Sequence, residues 1–121
     1  MMPDVAAAAL DRPWPVELTF QASAKSLKAR FDDGASFDIP YELLRVESPS
    51  AEVQGHSSAG KKWVAGKQDI GIKRAEPVGR YALRLIFDDG HDSGIYTWDW
   101  LYRLGRDQDD LLAQYRRAVQ A

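Results

Sequence analysis

Residues 16–20, VELTF, alternate apolar and polar side chains, the period of a strand with one face buried. Residues 27–31, LKARF, repeat the alternation and run into Asp33-Gly34, beyond which residues 35–39 resume it. Asp-Gly between two alternating runs predicts a hairpin, because its turn needs the positive φ that glycine adopts freely. Pro40 stops the second strand and suits the first turn of a helix, predicted over residues 41–46. A second series follows: a strand over 70–75, a Glu76-Pro77-Val78-Gly79 turn, and a long strand over 81–87. It continues with Asp88-Asp89-Gly90, a short strand over 95–97 and a helix over 98–104 that Gly105 is placed to cap. The clearest helix spans 107–120: Leu111, Leu112, Tyr115, Ala118 and Val119 share a face, with Asp107, Asp109 and Asp110 at its start and Arg116 and Arg117 towards its end. The expected fold is α+β, a mainly antiparallel sheet built from Asp-Gly hairpins, with short peripheral helices and a C-terminal amphipathic helix.

The two series resemble each other. Phe31-Asp32-Asp33-Gly34 recurs as Phe87-Asp88-Asp89-Gly90, and Glu42-Leu43-Leu44-Arg45 aligns with Trp100-Leu101-Tyr102-Arg103 after two extra residues in the second turn. Either a strand–turn–strand–helix unit is duplicated, or Asp-Gly hairpins, which are common, recur by chance. One segment between the series, LRVESPSAEVQGH at 44–56, fits neither period.

Composition narrows the functional classes. A length of 121 residues makes one domain, taken as 15–121, with 1–14 as a loosely held tail ending at Pro13-Trp14-Pro15. The formal charge of −2 gives no reason to expect nucleic acid or an anionic membrane, and the absence of cysteine excludes disulfides, thiol nucleophiles and thiolate metal sites. The apolar run at 5–10 is too short for a signal peptide or for the about 20 residues of a membrane span. A cytoplasmic location without membrane or nucleic-acid partners is expected.

Several motifs imitate chemistry. Gly55 to Lys62, GHSSAGKK, begins like a phosphate-binding loop, but Lys62 stands where a magnesium-binding hydroxyl belongs. His91-Asp92-Ser93 contains the residue types of a hydrolase triad, yet adjacent residues on a turn cannot line up in series. His56 and His91, with Glu47, Glu52 or Asp92, supply the types of a two-histidine, one-carboxylate iron site without its usual spacing. Tyr96, Trp98, Trp100 and Tyr102 fall on two faces and read as core and rim. Lys61, Lys62, Lys67, Lys73 and Arg74 form a modestly basic stretch, a weak nucleic-acid signal and a place for a small anionic ligand.

Residues 44–56, 72–79 and 87–98, including SPSAEVQGH and FDDGHDSGIY, carry a resemblance to a family of small bacterial proteins. It is the γ-butyrobetaine hydroxylase-like N-terminal domain, also called the domain of unknown function DUF971, and the resemblance covers about residues 15–115. In the hydroxylases this domain holds a structural zinc through Cys-Pro-Cys-x-x-Cys and a distant histidine. Those positions fall on Ser48, Ser50, Val53 and His91, which implies that the zinc site is lost. The hydroxylase's iron and 2-oxoglutarate ligands lie in a separate catalytic domain, so no enzymatic activity is expected. The domain also resembles an appendix of some iron–sulfur carrier P-loop ATPases. The resemblance thus implies a non-enzymatic, protein-binding accessory module linked to iron–sulfur or iron-enzyme maturation, with such an ATPase or a related assembly protein as partner. The expected contact surface is Ser48, Pro49, Ser50, Glu52, Gln54, His56, His91 and Asp92. No cofactor is expected; the alternatives are zinc or iron held by His91 and His56, or an enzyme binding a small anion near Lys67 and Arg74.

Overall fold

The computed structural model describes residues 12–55 and 60–120. The first series folds as an antiparallel meander of β1 (Pro15–Gln21), β2 (Ser26–Phe31) and β3 (Ser36–Pro40), with β2 central. The second folds as β4 (Ile72–Val78), β5 (Ala82–Phe87) and β6 (Ile95–Thr97), with β5 central. Between them lie α1 (Tyr41–Val46) and a single turn, α2 (Ala51–Gln54). The chain ends in α3 (Trp98–Arg106) and α4 (Gln108–Gln120). The fold is α+β, with two three-stranded sheets. Leu27, Ile39, Leu44, Phe87, Leu101 and Leu111 belong to one buried cluster, so both sheets and three of the helices share a core.

The paired Asp-Gly turns are built alike to the level of single bonds. Phe31 N–H donates to Ala35 O at 2.8 Å and Phe87 N–H to His91 O at 3.0 Å. Gly34 and Gly90 have φ of 91° and 92°, a region only glycine enters without strain. Asp33 Oδ1 accepts from the Ala35 amide at 2.9 Å, and Asp89 Oδ1 from the His91 amide at 3.0 Å. Each turn is braced by a helix that follows the other meander: Tyr102 Oη of α3 donates to Asp33, and Arg45 Nε of α1 donates to Asp89.

Three expectations need correction. β4 runs from Ile72 to Val78 rather than over 70–75, and the turn lies at 79–81, where Gly79 has φ of 57°. Pro77 pairs with Leu83 inside the strand; β4 is an edge strand, which needs amide donors on one side only, so proline fits. Gly105 does not cap a helix. It lies within α3, buried, and a Cβ there would enter the ring of Phe37, so its role is close packing of α3 on β3. The 50–54 stretch, expected as aperiodic loop, contains the α2 turn.

Candidate functional site

The helical backbone of α1 ends at Val46, with Glu47 as its C-cap. Pro49, which lacks an amide hydrogen, prevents continuation and sends the chain into α2. Between them Ser48 folds its hydroxyl back onto the chain: Ser50 N–H donates to Ser48 Oγ at 3.3 Å, and Ser48 Oγ lies 3.3 Å from Ser50 Oγ. Gln54 Nε2 donates to Ser48 O at 2.9 Å and ties α2 back to the bend. Val53 is buried, so at the position that the resemblance assigns to the third zinc ligand a hydrocarbon side chain packs inward.

His91 arrives from the β5–β6 turn. Its imidazole Nε2 lies 2.8 Å from Ser48 Oγ and 3.5 Å from Ser50 Oγ. The segment at 48–53 and His91 are therefore in side-chain contact. Ser48 Oγ already accepts the Ser50 amide and has one proton. Ser48 Oγ and His91 Nε2 share one hydrogen bond, its donor set by the imidazole tautomer. Burial, and then the nearby Arg45 guanidinium, push the His91 pKa below its ordinary value, against the carboxylates of Glu52, Asp89 and Asp92.

Gly94 completes the enclosure. A Cβ there would stand 2.5 Å from Ser48 Oγ and 2.9 Å from Tyr96 Cε1, so only glycine lets the β5–β6 turn lie against the serine. Tyr96 is fully buried and donates its hydroxyl to Leu44 O; burial raises its pKa well above the ordinary phenol value. Beneath the site, Arg45 Nε and Lys67 Nζ each donate to Asp89 Oδ2 at 2.8 Å. Burial opposes ionisation of Asp89, but bonds from Lys67, the His91 amide and Arg45 outweigh it and hold the carboxyl well below the usual range. Glu47, fully buried, pairs with Lys61 through Oε2 and accepts Trp100 Nε1 at its backbone carbonyl, 2.9 Å away.

Ser48, His91 and Glu52 form a line that reading the sequence did not single out. Glu52 Oε2 stands 3.7 Å from His91 Nδ1, on the far side of the ring from Ser48. This is the order of a hydrolytic triad, but not its chemistry. Ser48 has no exposed surface, so an acyl group cannot reach it. Glu52 is beyond hydrogen-bond range of the imidazole and instead accepts Ser93 Oγ at 2.7 Å. The signal available in sequence was the four-residue spacing of Ser48 and Glu52.

The remaining candidates disperse. His56 lies outside the described residues. Pro49 is half-buried, Gln54 is taken up by the Ser48 carbonyl, and Asp92 is exposed on the turn, 3.6 Å from Arg84. The donor set at the family zinc position does not fit zinc: two neutral hydroxyls, one imidazole and a hydrocarbon replace three thiolates and a histidine. Among the described residues no three histidine, aspartate or glutamate side chains are grouped to hold a metal ion. Lys61, Lys67 and Arg74 already face Glu47, Asp89 and Glu76. No helix among the described residues is long and apolar enough to cross a membrane.

The family model for the γ-butyrobetaine hydroxylase-like N-terminal domain matches residues 18–102. Two proteins with NMR solution structures are similar: one at 44% identity covers 90% of this chain and 86% of its own with a TM-score of 0.76. The other, at 41% identity, covers 100% of this chain and 89% of its own, also with a TM-score of 0.76. A crystal structure from Acidithiobacillus ferrooxidans, of a DUF971 protein of unknown function, is 34% identical over 75% of this chain and 91% of its own, with a TM-score of 0.63. No curated protein matches. The chain belongs to the γ-butyrobetaine hydroxylase-like N-terminal domain family, DUF971.

Proposed function

We propose that this domain is a non-enzymatic, protein-binding accessory module in which a hydrogen-bonded serine–histidine bracket replaces the family's zinc. One observation carries the reading: the Ser48 and Ser50 hydroxyls and His91 Nε2 are engaged with one another in a buried cluster. A catalytic or ligand site keeps groups open to what it binds; this one is closed. Its work is to pin the bend at 47–50 to the 91–94 turn. Around the rim, Glu52, Asp92 and Ser93 are exposed, and the contact role falls to them and to Pro49.

The partner class favoured is a basic surface, since Glu52 and Asp92 present acid beside a rigid turn. An iron–sulfur carrier ATPase or a related assembly protein remains the expected partner on the family's modular settings alone. Affinity capture from native cytosol with wild type and the Glu52→Arg/Asp92→Arg variant tests the surface. A protein retained reproducibly by wild type and lost with the variant supports it; identical retention by both contradicts it.

A further inference from the structure

On another face of the molecule, Trp14, Tyr81 and Trp98 wall a cavity of about 340 Å3. Trp14 and Tyr81 remain 41% and 67% exposed, too open for core packing. Trp14 meets Tyr81 at 81° and Trp98 at 71°, with centroids 6.5 Å and 6.2 Å apart, so the rings form the walls of a box rather than a stack. The backbone of Trp14 and the ring of Trp98 are held: the Trp14 backbone amide donates to Asp32 Oδ1 at 3.0 Å, and Trp98 Nε1 to Arg80 O at 2.8 Å.

The charge of the rim selects the occupant. Asp99, in the first turn of α3, lies at the cavity. Two of the first-turn amides there are already used: Trp98 N–H donates to Tyr81 O and Trp100 N–H to the Thr97 hydroxyl. What is offered is a carboxylate and aromatic faces, which suit a cation and not an anion. A cation of the chain already stands there, with Arg12 Nη1 3.0 Å from Asp99 Oδ2 and the two side chains 73% and 54% exposed. So exposed a pair contributes little and exchanges readily. A planar guanidinium can stack on the rings and fork onto the carboxylate; a hydrated ammonium does neither as well.

We propose that this cavity docks an arginine side chain of a partner protein, with Arg12 occupying its rim until displaced. The inference deepens the protein-binding reading and rests on it, but uses a face apart from the Glu52–Asp92 rim. Binding of acetyl-arginine methylamide, with the citrulline and lysine analogues as controls, is read from the Trp14 and Trp98 indole signals in 1H–15N spectra. The Trp100 indole, bonded to Glu47 O, reports that the fold is intact.

The arginine probe should shift both cavity indoles saturably, whereas neutral citrulline should not. Arg12→Gln, by removing the internal competitor, should tighten the arginine probe, while Asp99→Asn and Tyr81→Leu should each weaken it by about twofold to fivefold. Equal binding of citrulline, no effect of Arg12→Gln, or absence of any shift would overturn the proposal. Indole shifts that depend on protein concentration without probe would make a second copy of this chain the occupant, and overturn it too. The probe needs no partner, so its failure is separable from failure of the capture experiment.

Discussion

His91 couples burial to protonation. Its pKa lies below the ordinary 6.5 of the unfolded chain, chiefly because burial disfavours the charged ring. The unfolded state therefore binds more protons as the pH falls through 6.5, and stability drops from there until the folded imidazole titrates. Asp89 is also depressed, but its contribution is lost only as the pH falls below the ordinary 3.8. Denaturant melts of His91→Gln should lose the slope that begins near pH 6.5 while keeping the one below 3.8. An unchanged slope would mean that the imidazole is not the titrating group. At Gly94, alanine should cost about 1–3 kcal/mol in the same melts, since its methyl must push into Ser48 or Tyr96. The SPS motif was legible as a position, through the family resemblance. The Ser48–His91 bond and the closure by Gly94 were not, because both depend on which atoms meet between segments far apart in the chain.

Elements drawn from the same pattern carry different loads. The turns at 32–34 and 88–90 share their backbone bonds, yet Asp33 is exposed and bonded to a tyrosine whereas the Asp89 side chain is 18% exposed between two cations. Asp89→Asn should cost about 2 kcal/mol, because it leaves Arg45 and Lys67 without their counter-charge; Asp33→Asn should change stability little. Equal costs would contradict this division of roles. Gly105 makes the reverse point to helix propensity. Alanine is favoured over glycine in a helix by about 1 kcal/mol, but here its methyl would enter the Phe37 ring, so Gly105→Ala should destabilise. The Gly-as-cap reading failed because a C-cap and a close-packing glycine leave the same mark in one sequence. The hairpins were read correctly because Asp-Gly and alternation are local signals. β4 was misplaced because Pro77 suggested a turn, and edge strands tolerate proline.

Across the whole molecule, each meander's following helix braces the other's turn, so neither half ties down its Asp-Gly corner alone. That reciprocity brings the bend after α1 against the β5–β6 turn. The positions that the resemblance assigns to zinc fall at this junction, and here Ser48, Ser50, Val53 and His91 meet through hydrogen bonds and packing. Ser48→Cys/Ser50→Cys/Val53→Cys should therefore gain zinc binding, seen as a melting temperature that rises with added zinc, because with His91 it restores a three-thiolate, one-imidazole donor set. The most direct measurement is the zinc and iron content of the native protein, purified without a histidine tag, with its melting temperature before and after chelator. The expected result is metal well below one equivalent and a melting temperature that chelator leaves unchanged. One equivalent of bound metal, with melting lowered on its removal, would contradict a junction held by serine and histidine alone.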